Sequence, residues 1–141
     1  MKNTFAALIF ILLLVLSFHV EAQTVQKLTT AGFKEKIWNY DALNEWKFAG
    51  TKPVIIDLYA DWCGPCRMLT PILEEIQKDL GEKIQIYKVD TEKERDIASL
   101  FRVTSIPLMV FIPTNKQPFL VNGLRSKEEL IKIIRENLEI K

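Results

Sequence analysis

The chain holds two cysteines, and only Gly64 and Pro65 separate them in the run Trp62-Cys63-Gly64-Pro65-Cys66. The apolar stretch before this run reads as strand and the periodicity after it as helix, so the pair falls at a strand-to-helix turn. There two sulfurs come within bonding distance, while the helix N-terminus offers unpaired N–H groups and partial positive charge to a thiolate. The chemistry this allows is thiol-disulfide exchange. Cys63, expected at the exposed end of the turn, would attack a disulfide, and Cys66, a turn deeper, would resolve the mixed disulfide.

Three other uses of the pair stay open. Two zinc ligands are one, although a zinc site usually has four, and the single histidine, His19, lies in a segment expected to be removed. A purely structural disulfide is the second, but it would close too short a loop to stabilise much by chain entropy. Two inert core cysteines are the third, against which Gly64-Pro65 marks a turn.

The elements that position the motif can be read outward from it. Val54-Ile55-Ile56-Asp57-Leu58-Tyr59 is almost wholly apolar and β-branched, which predicts a central strand buried on both faces. From Cys63 the period becomes helical, with Met68, Leu69, Ile72, Leu73, Ile76 and Leu80 as the apolar stripe, Pro71 as a kink and Gly81 as the stop. Upstream, residues 24–28 suggest a short first strand, and Thr30 is expected to cap a helix over 31–40. Downstream, strands are expected at 84–89, 108–112 and 119–121 and a short helix at 94–101. Ser126-Lys127-Glu128-Glu129 reads as a capping box opening a last helix through Leu138. Alternation of these lengths predicts an α/β fold: a mixed sheet of about five strands, with a closing antiparallel hairpin and helices on both faces.

Length and composition bound the rest. With 141 residues, 48% hydrophobic and 26% charged, the chain fits one globular domain. A net charge of +1 gives no support for a nucleic-acid-binding reading. Residues 1–4 are short and positive, 5–16 are uncharged and apolar, and Val20-Glu21-Ala22 places small residues at a cleavage site. Residues 1–22 are therefore expected to be a secretory signal, leaving a domain over 23–141 in an exported, periplasmic location. The alternative is an uncleaved anchor formed by residues 5–20 and facing the same compartment.

The stretch Asp57-Leu58-Tyr59-Ala60-Asp61-Trp62-Cys63-Gly64-Pro65-Cys66-Arg67 resembles the thioredoxin active-site signature, and Pro71, Lys88, Ile106-Pro107 and Gly123 extend the resemblance. It implies the thioredoxin fold and a protein-disulfide reductase that uses no cofactor and no metal. Asp57 would be a buried acid, raised by burial, that helps deprotonate the resolving thiol through a water, with Lys88 as its partner. The blander reading makes Asp57 a carboxylate paired for structure and Lys88 an exposed strand lysine. The resemblance also implies a cis bond before Pro107 and a substrate surface of Trp62, Gly64, Pro65, Tyr59, Ile106, Pro107 and Gly123.

Tyr59, Arg67 and Leu108 depart from the family's commoner tryptophan, lysine and threonine, which bears on substrate preference. Expected partners are disulfide-containing protein substrates and a membrane thiol relay as electron donor, and a monomer is expected. Two alternatives are a specialised reductant for cytochrome c maturation and a partner-binding module that uses the same groove without turnover. The segment 39–50, which holds Trp46 and follows Trp38, reads as packing in preference to an added contact surface.

Overall fold

A computed structural model describes residues 24–140, so the signal or anchor expected in residues 1–22 lies outside the described residues. The apolar run 54–59 forms strand β2 (Val54–Tyr59), whose first five residues are buried. It pairs parallel with β3 (Gln85–Asp90) and antiparallel with β4 (Leu108–Ile112). The edges are β1 (Gln26–Lys27), parallel to β3, and β5 (Phe119–Asn122), antiparallel to β4. The sheet order β1-β3-β2-β4-β5 puts β2 in the middle, as its composition predicts.

Both faces of β2 are covered. Val54, Ile56 and Leu58 pack with Phe33 of helix α1 (Thr30–Lys36) and Ile97 of α3 (Arg95–Leu100). On the other face Ile55 packs with Leu69, Leu73 and Ile76 of α2 (Gly64–Leu80) and with Leu130 and Ile134 of α4 (Lys127–Asn137). Each fully buried aliphatic side chain contributes about 1.5–3 kcal/mol. A strand sandwiched in this way has no wet face, so the single charge on it, Asp57, is removed from water.

The helix ends refine the sequence reading. The predicted capping box at α4 is present: Ser126 Oγ accepts from Glu129 N at 3.2 Å, and Glu129 Oε2 accepts from Ser126 N at 2.8 Å. At α1 the cap is Thr29, whose Oγ1 accepts from Gly32 N, and not Thr30. Thr30 is occupied elsewhere, since its N–H and its hydroxyl both donate to Glu94 Oε2 at 2.7 Å, which ties α1 to the start of α3. α1 also stops at Lys36, short of 40. Trp38, Tyr40, Trp46 and Phe48 then pack against the core from an irregular segment, with the Trp38 and Trp46 rings 5.3 Å apart.

Met68 lies one residue beyond the buried stripe of α2 and is 61% exposed, contrary to the sequence expectation. The helix continues through Pro71 and ends at Gly81, which takes φ 53°, a left-handed backbone that glycine adopts without Cβ strain. Gln77, absent from the sequence reading, is buried there and satisfied. Its Nε2 donates to Gly81 O and Ile84 O, and its Oε1 accepts from Ile86 N at 2.6 Å. Those bonds fix the end of α2 against the start of β3, and with it the register that sets Lys88 opposite Asp57.

Candidate active site

Cys63 occupies the N-cap of α2 with extended backbone, and Pro65 follows in the first turn, where a missing N–H costs no hydrogen bond. Cys63 Sγ accepts from Cys66 N at 3.2 Å, and the two residues are disulfide-bonded. The cap is thus made by the sulfur itself. On reduction the same N–H and the helix dipole favour a thiolate at Cys63.

The pair is more covered than the sequence predicts. Cys63 is 4% exposed and Cys66 2%, because Ala60, Tyr59 and Ile106 pack around them. Ile106 arrives from the loop just before β4, far from the motif in sequence, so its cover is not visible in the motif. Trp62 remains outside, 67% exposed, and its Nε1 donates to Glu92 Oε1 at 3.1 Å. Gly64 is half-buried and Pro65 exposed beside it.

Ile106-Pro107 is cis, as the resemblance implied. Gly123 takes φ 79° and donates its N–H to Pro107 O at 2.8 Å, so the end of β5 is fastened to the loop that carries Ile106. Tyr59, Trp62, Ile106, Pro107 and Gly123 are placed around this loop and the start of α2, and Tyr59 and Ile106 touch the disulfide cluster directly.

Asp57 is fully buried, and neither carboxyl oxygen meets a hydrogen-bond donor among the described residues. Burial pushes its pKa up to about 7, with the Lys88 charge pulling the other way. Lys88 faces Asp57 in the strand register but does not bond to it. Its Nζ donates to Thr70 Oγ1 at 3.0 Å and lies 4.5 Å from the centre of the Tyr59 ring. Thr70 Oγ1 in turn donates to Cys66 O at 3.2 Å. The register sets Lys88 across from Asp57, but the direct partner of Lys88 is Thr70, which the sequence reading missed together with Glu92. Thr70 does carry a signal, because a threonine four residues past Cys66 can bond back to that carbonyl. Among the described residues no cluster of three or more His, Cys, Asp or Glu side chains is arranged to hold a metal.

A five-strand mixed sheet with paired cysteines opening its long helix defines a dithiol-disulfide protein of the α/β class. The family model described as Thioredoxin matches residues 24–136. Thioredoxin of Borreliella burgdorferi is 43% identical over 109 residues, covering 77% of this chain and 93% of that one. Thioredoxin of Rickettsia typhi is 32% identical over 114 residues, covering 81% and 99%. The crystal structure of Malassezia sympodialis thioredoxin superposes with a TM-score of 0.64 at 29% identity, covering 79% of this chain and 90% of that chain. The chain belongs to the thioredoxin family, whose members are disulfide oxidoreductases acting on disulfide-containing proteins.

Proposed function

We propose that this protein is a protein-disulfide reductase working through Cys63 and Cys66. The observation that carries the reading is the Cys66 N–H directed at Cys63 Sγ within a disulfide at the start of α2. In the reduced protein the Cys63 thiolate attacks one sulfur of a substrate disulfide. The substrate S–S bond breaks, a mixed disulfide forms, and the first substrate sulfur leaves and takes a proton. Cys66 then loses its proton and attacks Cys63 Sγ, restoring the Cys63–Cys66 bond and releasing the second substrate thiol. Two electrons pass to the substrate, and no cofactor enters. Asp57, poised near neutral by burial, takes the Cys66 proton, relayed by water. Tyr59, Trp62, Gly64, Pro65, Ile106, Pro107 and Gly123 form the surface on which an extended substrate segment lies.

Insulin reduction in the presence of dithiothreitol tests this. The wild-type protein is expected to accelerate insulin precipitation at least ~10-fold over the Cys63→Ser/Cys66→Ser double variant. Equal rates would end the enzyme reading and leave the groove as a binding surface only.

The composition of residues 1–22 supports work outside the cytosol, and an exported reductant needs its own electron supply, for which we propose a membrane thiol relay serving a monomer. Intact-mass measurement of the protein from its native host is expected to show a chain beginning at Gln23. A mass that retains residues 1–22 would replace cleavage with the anchor formed by residues 5–20.

A further inference from the structure

The turn that carries Cys66 also carries a hydroxyl that joins three parts of the site. Thr70 lies one helical turn beyond Cys66, on the same side of α2. Its hydroxyl hydrogen goes to Cys66 O at 3.2 Å, which leaves a lone pair for the ammonium of Lys88 at 3.0 Å. On its other side that ammonium rests 4.5 Å from the centre of the Tyr59 ring. Lys88 therefore has two local partners on a stem of four carbons flexible enough to reach others. The carboxyl directly across the strand pair has none among the described residues, where both Asp57 oxygens lack a donor. A buried carboxylate beside a lysine is ordinarily held in direct contact with it.

We propose that Thr70 is a positioning residue for the exchange reaction: its hydroxyl parks the Lys88 ammonium against the Cys66 turn and the Tyr59 ring, off the Asp57 carboxyl. This rests on the reading of Asp57 as the group that exchanges the Cys66 proton. The groups facing Asp57 leave little else to set its behaviour. β3 presents Lys88, and β4 presents the uncharged Met109. On its own strand Tyr59 is next on the same face, its phenol pushed up by burial first and then by the Asp90, Asp61 and Asp57 carboxylates, with Lys93 opposing. On this face of the sheet α2 packs Leu69, Leu73 and Ile76 and α4 packs Leu130 and Ile134, the cysteines cluster with Tyr59, and Thr70 meets the site through Lys88. With the hydroxyl removed, the ammonium swings to the carboxylate and favours its charged form.

Thr70→Val removes the hydroxyl at nearly constant shape, and Thr70→Ser keeps it. Carbon NMR of the Asp57 carboxyl through a pH titration of the oxidised full chain reads the effect without turnover. In Thr70→Val the midpoint is expected to move to lower pH by about one unit. Thr70→Ser is expected to titrate with the wild type, and Thr70→Val/Lys88→Gln to lose the downward movement. The pH profile of mixed-disulfide resolution should move in parallel. A Thr70→Val midpoint equal to the wild type, or a downward movement that survives without Lys88, overturns the proposal. Thr70→Ala supplies the same comparison should the valine variant fail to fold. A wild type inactive on insulin would end the reductase reading while leaving the NMR result to decide the placement of the ammonium.

Discussion

Cys63→Ser is expected to lose insulin reduction by ~10³-fold or more, whereas Cys66→Ser is expected to attack substrate once and stall as a mixed disulfide. The two thiols are chemically alike and almost equally covered, at 4% and 2% exposed, so solvent access does not separate their roles. Position on the helix does. Cys63 is the cap and receives the Cys66 N–H on its sulfur, while Cys66 belongs to the helix proper. A serine hydroxyl at 63 stays protonated at neutral pH even with that donor, so no nucleophile replaces the lost thiolate. A serine at 66 leaves the thiolate of Cys63 intact and removes only its release. Mass spectrometry after incubation with a disulfide-containing peptide distinguishes the two, because the covalent adduct should accumulate on Cys66→Ser alone. An adduct on Cys63→Ser in its place would reverse the assignment of attacking and resolving sulfur.

This asymmetry is legible in the sequence because it depends on spacing within one segment. The same holds for β2, whose six-residue run has no polar face to offer, and for the α4 cap, which needs only Ser126 and Glu129 three residues apart. What the chain's linear order hides are contacts that span it. Glu94 reaches Thr30 across 64 positions and so moves the α1 cap to Thr29. Ile106 closes over cysteines that the motif alone places at an exposed turn. Trp62 meets Glu92 across 30 positions, and Lys88 meets Thr70 across 18, although the strand register points Lys88 at Asp57. The residues that react can thus be found by pattern, whereas the residues that steer a charge among them emerge only from packing.

Asp57→Asn is expected to make the protein more stable at about pH 8 and less active at the resolving step, two effects of opposite sign from one atom's exchange. Below about pH 4 the carboxyl is protonated in the folded and the unfolded chain alike. As pH rises past that value the unfolded chain loses the proton, while burial keeps it on the folded chain until about pH 7. Unfolding then releases a proton, so the stability associated with Asp57 is full below about pH 4 and is lost as pH climbs through about 7. The interval is worth up to ~4 kcal/mol, of which the unpaired amide of asparagine takes back part, leaving a gain of about 2 kcal/mol at pH 8. Urea unfolding of the oxidised protein at about pH 5 and about pH 8 should show the wild type weaker at the higher pH and the variant nearly level. The same substitution removes the only proton acceptor assigned to Cys66, so the mixed disulfide should persist longer near neutral pH. A carboxylate kept for an ion pair with Lys88 would behave in the reverse sense, because replacing it would strand the ammonium and destabilise the fold. A variant that is destabilised at about pH 8 and resolves mixed disulfides at the wild-type rate would return Asp57 to that structural role.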